Sequence, residues 1–542
     1  MSSSKLRLMK LAVKKRRKIC CLFFLILISL LTRLIGLNWG GGYFFHPDEG
    51  NMARSVAQMK FIDLNPRFFA YGQFPLYLTF FSAKLLNLLR GVNTPAVTFS
   101  QAVYWLRFYS AFFSLGTIIL GYLLIKKLEP KKESNWLILF WLIFSPGLIQ
   151  AAHFGTTESL LTFVSLGLVY LSLQVLEKGL SGKKFFLIAL ISGAGLGSKA
   201  SAALFLLPAL MAYFLRFKKE KKKLVWLGKG TSLALLSLFF FTLFCPYYFI
   251  NWQEALRIVR YEAEVAAGKS AVFYTRQFLN TTPFLFQLRR VFPWVLGWLV
   301  FVLAIIALGV NFYFLFAKKK KQRLDFKWWL FHLGWLPWFL LNSLLFSKWV
   351  RFMAPILPFL IILGFWLVNK IKNQKALYLL IFLGILPGIL FGKIYWTKDI
   401  RIRAMEWINK SFPVGSVIFY EGGNIVDLPN LNHQDFITFN FDFHSLEENK
   451  ENQKRLEEEI VRADYFLSPS RRIFANRPKK HFPYTANFYE KLFSGELGFE
   501  KIKEFKVFNN WEEVIVGSDL GSEETWTVFD HPTLRLYKRV KE

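Results

Sequence analysis

Two adjacent carboxylates, Asp48 and Glu49, follow His46 and Pro47 shortly after the first strongly apolar segment of the chain. A carboxylate in this position can accept the proton of a hydroxyl group that attacks a substrate. The pattern also suits an ordinary helix N-terminus, where proline occupies the first helical position and acidic side chains face the positive end of the helix dipole. The residue types therefore indicate either a catalytic site or a helix start.

A second acidic position, Glu158, lies in a predicted turn between two apolar segments, shortly after His153. In the simplest interpretation, Thr156 or Thr157 caps the helix that follows. A carboxylate at the mouth of an apolar helix bundle is costly, however, and such charges usually serve a function. Glu158 is therefore a second candidate for the same site.

Several cationic side chains are candidates for binding an anion. Lys199 has apolar sequence on both sides, so its ammonium group either snorkels to the membrane surface or pairs with an anion. Lys348 and Arg351 lie in a predicted outer turn, either as loop charges or as a cationic pair, and Arg257 and Arg276 lie in a predicted outer loop. Carboxylates and cations on one side of a membrane suit glycosyl transfer from a lipid phosphate.

The elements that must position these side chains are predicted membrane helices. The chain has 542 residues, of which 54% are hydrophobic and 18% aromatic, and the apolar residues form long blocks. Each block has roughly 18 to 25 residues, enough to cross a hydrocarbon core about 30 Å thick. The formal charge of +33 sits mainly in short runs between the blocks. Such runs follow the positive-inside rule, so we expect contact with membrane lipids and no nucleic-acid partner.

The charge runs predict a topology of about eleven crossings. Residues 19–37 form an uncleaved first span with a cytoplasmic N-terminus, and basic runs at 318–323 and 370–375 mark later cytoplasmic turns. We predict outer loops at 38–100 and 247–291, with an interfacial apolar stretch at 76–89. Residues 185–215 are predicted to form two short or tilted spans with Lys199 near their outward turn.

The C-terminal part has a different composition. From about residue 398 it resembles an ordinary soluble protein, with short apolar runs alternating with charged helical patterns. We therefore predict a membrane domain at 1–397 and a small extracytoplasmic α/β or α+β domain at 398–542. Cys20, Cys21 and Cys245 lack the paired spacing of a metal site or a disulfide framework.

Four sequence pieces in this order resemble the GT-C glycosyltransferases, specifically the group that contains the protein O-mannosyltransferases and the lipid A aminoarabinose transferases, or glycosyltransferase family 39. The resemblance covers roughly residues 15–395. The four pieces are His46-Pro47-Asp48-Glu49, the hairpin from Ser145-Pro146 to Glu158, Gly197-Ser198-Lys199, and Arg351-Phe352-Met353-Ala354-Pro355.

The resemblance implies a GT-C-like bundle and assigns a role to each candidate residue. Asp48 is the catalytic base, Glu49 its neighbour and Glu158 the second acid, while Lys199 binds the donor phosphate. Many relatives carry an arginine three residues after the aspartate, where this chain has Asn51. The donor phosphate is then expected to be bound by Lys199 and by arginines on the outer side. Arg54 is expected to lie too far round the helix to replace the missing arginine. The further phosphate-binding candidates are Arg351, Arg257 and Arg276, and the acceptor or sugar-pocket candidates are His46, His153 and Asn51.

We therefore expect an inverting glycosyltransferase in the cell membrane that uses a polyprenyl-phosphate-linked sugar. The acceptor is a protein, a lipid or a glycan on the extracytoplasmic side. No metal or other cofactor is expected to be required, because cationic side chains can stabilise a departing monophosphate. The alternative to a metal-free site is a divalent metal ion bound by His46 or His153 with nearby carboxylates. The alternative is a transporter or flippase that moves a lipid-linked or anionic substrate along the intramembrane charges.

Overall fold

The computed structural model describes residues 23–92, 96–317 and 325–540. Within these ranges the chain is mainly helical and ends in a small sheet-containing region. Cys20, Cys21, the start of the predicted first span at residue 19 and the predicted cytoplasmic run at 318–323 lie outside the described residues.

The α-helices of the described ranges are labelled α1 to α24 in chain order. Their bounds are α1 Phe23–Leu34, α2 Pro47–Gln58, α3 Phe74–Leu89, α4 Phe99–Leu128, α5 Ile138–Ile143, α6 Pro146–His153, α7 Glu158–Lys178, α8 Gly182–Leu196, α9 Leu207–Lys219, α10 Lys223–Phe244, α11 Pro246–Ile250, α12 Trp252–Ala267, α13 Leu285–Arg290, α14 Phe292–Leu296, α15 Trp298–Leu315, α16 Lys327–Leu333, α17 Leu336–Leu344, α18 Leu357–Val368, α19 Gln374–Trp396, α20 Ile400–Ser411, α21 Lys450–Ile460, α22 Arg472–Ala475, α23 Pro483–Ser494 and α24 Asn510–Val516.

Seven helices in the described part of the chain are long and apolar enough to cross a membrane. They are α4, α7, α10, α15, α19 and two helices that begin with a 3₁₀ turn, Ala200–Lys219 and Val350–Val368. The pair Glu133–Ile143 and Pro146–His153, bent by 56° at its break, makes an eighth if it is one span. The chain is therefore a polytopic helical membrane protein.

The predicted count of about eleven crossings is not confirmed. Within the described residues, the apolar helices α1 and α3 have fewer than the roughly 18 residues of a simple crossing, and the chain before α1 lies outside these residues. Proline begins α6 and α17 and restricts the residue before it, which divides apolar stretches that look continuous in the sequence. By length and composition, the described residues therefore contain seven or eight candidate spans.

The helices form a bundle around α7. Helix α7 packs against α4, α8 and α9, while α15 packs against α18 and α8 against α10. Helix α7 and the helix Val350–Val368 are almost enclosed, whereas only 6% of the apolar window of α10 is buried. An apolar helix with so little cover suits a lipid-facing position at the rim of the bundle.

The C-terminal region contains a five-stranded mixed sheet. Its strands are β1 Val417–Glu421, β2 Ile437–Phe441, β3 Tyr465–Ser468, β4 Phe499–Phe505 and β5 Leu534–Arg539. The order is β2-β1-β3-β5-β4, with β1, β2 and β3 parallel and β5 antiparallel to both β3 and β4. Because β1, β2 and β3 are parallel, their carboxyl ends lie at one edge of the sheet. The predicted small sheet-containing region is thus present.

The chain from 522 to 531 attaches this region to the bundle. Gln150 of α6 donates to the Trp526 carbonyl at 2.8 Å and to Asp530 Oδ2 at 3.1 Å. The Tyr395 hydroxyl of α19 donates to the same carboxylate oxygen at 2.6 Å, and the imidazole of His531 lies 2.5 Å from the other. Burial opposes ionisation of Asp530, but His531 and these hydrogen bonds together lower the pKa of its carboxyl group. An ionised, fully bonded side chain therefore joins the two regions.

Candidate active site

The segment around Asp48 starts a helix and also faces a cavity. His46 is the N-cap of α2, and its Nδ1 accepts from the Glu49 amide at 3.5 Å, while Pro47 opens the helix. Burial lowers the pKa of His46, although the neighbouring carboxylates oppose this shift. The helix-start interpretation therefore describes the backbone correctly, and it does not compete with a role for Asp48.

Asp48 is held by two groups from distant parts of the chain. Its Oδ2 forms an ion pair with Arg351 and accepts a hydrogen bond from the Tyr71 hydroxyl at 3.1 Å. Burial disfavours the charged carboxylate, but Arg351, His46 and Tyr71 outweigh it and lower the pKa of Asp48. Asp48 is therefore ionised at neutral pH and, because both bonds go to Oδ2, Oδ1 is left to take a proton.

Arg351 occupies a fixed position in the 3₁₀ turn Val350–Ile356. Its guanidinium lies 4.7 Å from the ring centre of Trp349, and the backbone N–H of Val350 donates to Glu523 Oε2 at 3.0 Å. The Nε atom of Arg351 is buried and has no hydrogen-bond partner within the described residues. A buried donor without a partner is costly, and a hydrogen bond to this group would remove that cost.

Lys199 lies behind Tyr71 and has a rigid backbone. The carbonyls of Gly197 and Ser198 accept hydrogen bonds from the amides of Phe74, at 3.0 Å, and Gly72, at 2.9 Å. The Lys199 ammonium lies 5.6 Å from the ring centre of Tyr71 and 4.9 Å from that of Phe352. Tyr71 therefore contacts both Asp48, through its hydroxyl, and Lys199, through its ring.

A cavity of about 470 Å³ opens beside Asp48. Its lining includes Asp48, Asn51, Tyr71, Glu262 and Arg351 on one side. The opposite side comes from the loops of the C-terminal sheet. A smaller adjoining cavity of about 40 Å³ is lined by His46, Glu158 and Arg351, among others. The structure therefore brings five of the predicted residues together, namely Asp48, Asn51, Arg351, His46 and Glu158, with Lys199 directly behind Tyr71.

Glu158 is the first residue of α7, and the interpretation in which Thr157 caps this helix is not supported. Thr157 precedes α7, but its side chain forms no capping hydrogen bond. Glu158 itself is only 5% exposed and lines the smaller cavity beside Arg351. Among the acids around Lys199, Glu158 attracts the ammonium most strongly. The carboxylate is thus a neighbour of both site cations.

Glu49 requires a correction, because the structure directs it away from the cavity. Its carboxylate is fully buried and accepts from Arg107 Nε and Nη2, each at 2.7 Å, and from the Gly155 amide at 2.8 Å. Arg107 also donates to the carbonyls of Leu37, at 2.9 Å, and Trp39, at 3.0 Å. Glu49 is therefore a structural anchor between α2, α4 and the hairpin before α7, and it cannot reach a substrate in the cavity.

Three other predicted residues also lie away from the site. Both ring nitrogens of His153 face backbone carbonyls, and the ring stacks on Tyr395 at 3.7 Å between centres. Arg257 is exposed on α12 and lines neither cavity. Arg276 forms an ion pair with Glu448 at 2.7 Å. The expected roles of His153, Arg257 and Arg276 therefore lack a geometric basis.

The site contains residues that sequence reasoning missed. Tyr71 lies in a predicted loop with no charge to mark it, and Glu262 sits among ordinary charged residues of α12. Arg107 lies inside an apolar helix, and this intramembrane charge was the one clear signal available for it. Arg54, expected to be too far round the helix, reaches Asn51 Oδ1 at 2.6 Å without lining the cavity.

No group of three or more histidine, cysteine, aspartate or glutamate side chains within the described ranges is arranged to hold a metal ion. The charges that face the cavity are instead two carboxylates and one guanidinium on the bundle side. These groups can accept a proton and bind an anion.

The fold and this site define a polytopic membrane protein with an acid–cation centre at the junction with a C-terminal sheet. Residues 84–247 match the family profile described as dolichyl-phosphate-mannose-protein mannosyltransferase. The matched segment is less than a third of the chain and contains α4, α7 and Lys199. This match agrees with the resemblance to the GT-C glycosyltransferases that the four sequence motifs carry.

Solved structures show similarity along most of the chain. The archaeal oligosaccharyltransferase AglB from Archaeoglobus fulgidus, in complex with an inhibitory peptide and a dolichol-phosphate, is 12% identical with a TM-score of 0.48, covering 97% of this chain and 89% of AglB. ArnT from Cupriavidus metallidurans bound to undecaprenyl phosphate is 11% identical with a TM-score of 0.44, covering 99% and 98%. Scores below 0.5 support no conclusion about the chemistry of this chain. No curated protein matches the sequence.

Proposed function

We propose that this protein transfers a sugar from a polyprenyl-phosphate carrier to an acceptor hydroxyl group, with Asp48 as the catalytic base. The observation that carries the proposal is the contact of Tyr71 with both Asp48 and Lys199. It puts a carboxylate that is ionised at neutral pH next to an ammonium group at the edge of an apolar bundle. A base and an anion-binding cation in one place are what transfer from a lipid phosphate requires.

In the proposed reaction, the acceptor oxygen attacks the anomeric carbon of the donor sugar. Asp48 Oδ1 takes the proton of the acceptor hydroxyl as the new carbon–oxygen bond forms. The bond between the anomeric carbon and the phosphate oxygen breaks, and its electron pair leaves with the polyprenyl phosphate. Attack from the face opposite the leaving group inverts the anomeric configuration.

Lys199 and Arg351 are the proposed ligands of the donor phosphate. Lys199 has aromatic rings beneath it and no described ion pair, and Arg351 has a buried Nε without a partner. Charge-assisted hydrogen bonds from these groups stabilise the negative charge on the departing phosphate. Glu158 lies beside both cations and is proposed to position them. His46 and Asn51 are proposed to contact the sugar or the acceptor.

The proposed location is the cell membrane, with a cytoplasmic N-terminus and the cavity on the extracytoplasmic side. Arg351 is the second residue of the helix Val350–Val368, so the site lies at one end of a span. The C-terminal sheet covers that same end of the bundle. The domain boundary near residue 398 is proposed for the same reason, because α19 is the last candidate span of the described chain.

The testing experiment measures sugar release from radiolabelled polyprenyl-phosphate donors, with membrane lipids and cell extract as acceptors. We expect purified wild-type protein to release or transfer one sugar, and Asp48→Asn to lose at least about a hundredfold in rate, within the range of general base catalysis. Asp63→Asn is the matched control, because Asp63 is an exposed aspartate of the same predicted outer loop that pairs with Arg67. Failure of every donor to react would overturn the transferase and favour transport.

A further inference from the structure

The wall of the cavity opposite Asp48 is formed by one edge of the C-terminal sheet. Residues 422–425 follow β1, His444 follows β2 and Arg472 follows β3, and all of them line the cavity. The three strands are parallel, so their carboxyl ends open on the same side. Ligands of open α/β sheets bind at this edge, because the loops that leave adjacent strands diverge there.

Asn424 lines this space and has an amide group of fixed orientation. Its Nδ2 donates to Asp427 Oδ1 at 2.8 Å, and Asp427 also accepts from the backbone amides of Gly423, at 3.3 Å, and Asn424, at 3.2 Å. These bonds determine the orientation of the amide. The Asn424 Oδ1 atom is buried and has no hydrogen-bond partner among the described residues. A buried acceptor of this kind needs a donor, such as a ligand hydroxyl group.

His444 presents a fixed donor. Its Nδ1 faces Arg477 Nη2 at 3.1 Å, and a guanidinium can only donate, so Nδ1 is the acceptor and Nε2 carries the hydrogen. Burial, followed by the charge of Arg477, lowers the pKa of His444 to about 4 and keeps the ring neutral. The ring also packs against Phe273, with 4.1 Å between centres. One neutral N–H donor is thus held on an aromatic surface.

Arg472 does not make this wall a phosphate site. Its Nη1 forms an ion pair with Glu524 Oε1 at 3.0 Å, and both side chains are buried. Each cation that helps to shape this wall therefore has a local partner. Phe273, Tyr274 and Trp349 add aromatic faces to the same cavity. A neutral wall with one acceptor, one donor and several aromatic faces suits a hydroxyl-rich ring.

We infer that the carboxyl edge of the C-terminal sheet is a carbohydrate subsite that holds the acceptor of the reaction. The volume of about 470 Å³ falls in the range of pockets that enclose a small organic ligand. Of the two proposed phosphate ligands, Lys199 lies behind Tyr71 and does not line this cavity, and Arg351 lines it beside Asp48. We therefore expect the donor phosphate beside these two cations and the acceptor at the sheet edge. The assignment of the bound carbohydrate as the acceptor rests on the proposed function. Binding of a carbohydrate at this edge can be measured without any transfer reaction.

The test measures binding of a panel of methyl glycosides to the full-length protein in nanodiscs by saturation-transfer NMR. We expect at least one glycoside to bind to the wild type and to bind at least tenfold more weakly to Asn424→Ala and His444→Phe. His444→Gln should retain binding, because its amide can accept from Arg477 and donate to the sugar. The matched controls Asn487→Ala and His433→Phe change exposed residues of the same region that lie outside the cavity.

Further arms separate the other occupants. Glycoside binding that persists with saturating polyprenyl phosphate supports the acceptor subsite. Displacement of the glycoside by intact donor, but not by polyprenyl phosphate, would assign the pocket to the donor sugar and overturn this inference. Binding of a serine- and threonine-rich peptide in place of every glycoside would also overturn it. If the wild type transfers sugar but binds no glycoside, this inference alone is refuted. If a glycoside binds but no donor supports transfer, the proposed function alone is refuted.

Discussion

Asp48 and Arg351 form an ion pair on the cavity wall although 303 residues separate them in the chain. Asp48 lies in the first turn of α2, and Arg351 lies at the start of the helix Val350–Val368. The pair keeps the carboxylate charged in a partly enclosed site. In the free protein it also neutralises a guanidinium that the proposed donor phosphate would engage.

The pair predicts a shifted pH profile for Arg351→Gln. A base must be ionised, so activity is lost as the pH falls through the pKa of Asp48, which Arg351 helps to lower. Without this charge, burial acts with less opposition and the pKa of Asp48 rises. The acidic limb of the rate profile should therefore move to higher pH. Measurement of kcat between pH 4 and 8 tests this.

The control for that profile is Arg351→Lys, which keeps a positive charge beside Asp48 and should leave the acidic limb closer to that of the wild type. Arg403→Gln removes an exposed arginine of α20 and should leave the whole profile unchanged. An unmoved limb in Arg351→Gln would show that Asp48 is not the group that titrates.

Lys199→Met should weaken binding of the donor and have a smaller effect on the reaction with the acceptor. A hydrogen bond to a charged group contributes about 1.5–3 kcal/mol, so the donor KM should rise roughly 10- to 150-fold. Steady-state kinetics with varied donor at fixed acceptor measure this. Lys60→Met, at an exposed lysine of the same predicted outer loop as Asp48, is the control. An unchanged donor KM would remove Lys199 from the phosphate site.

Gly72→Ala should disturb the same site through the backbone. A methyl group at Gly72 would meet the Ser198 amide nitrogen at 2.7 Å, and the Gly197 carbonyl is closer still. The segment that carries Lys199 must then shift, so we expect a donor KM raised by at least about fivefold, since small displacements of positioning groups are costly. Gly182→Ala is the matched control, because a methyl group there meets no atom within 4 Å. Equal kinetics for the two variants would contradict the anchoring of Lys199 by residues 72–74.

Glu49→Gln should destabilise the fold. Loss of one partner leaves the buried Arg107 charge without compensation, which costs about 3–5 kcal/mol. Thermal unfolding of the detergent-solubilised protein should therefore occur at a clearly lower temperature. Glu49→Gln combined with Arg107→Met should recover part of the loss, because no uncompensated charge remains. A double variant less stable than the sum of its two single changes would argue against an isolated pair.

The local chemistry of this protein was readable from its sequence. Long apolar blocks and intervening basic runs predict a multi-span membrane protein, because burial in lipid demands a continuous apolar surface. The change of composition near residue 398 predicts the small region that contains the sheet. The motif residues Asp48, Glu158, Lys199 and Arg351 were also visible, since charges beside apolar spans are costly and uncommon.

Side-chain direction and long-range pairing were decided by the tertiary structure. Asp48 and Glu49 are adjacent in sequence, yet the turn of α2 sends one to the cavity and the other to Arg107. Tyr71 and the carboxyl edge of the sheet became part of the site through packing, which no local pattern encodes. Sequence determines which groups can be charged or buried, because these are properties of each residue and its neighbours. The fold decides which of them meet, because a contact between distant residues depends on the packing of every element between them.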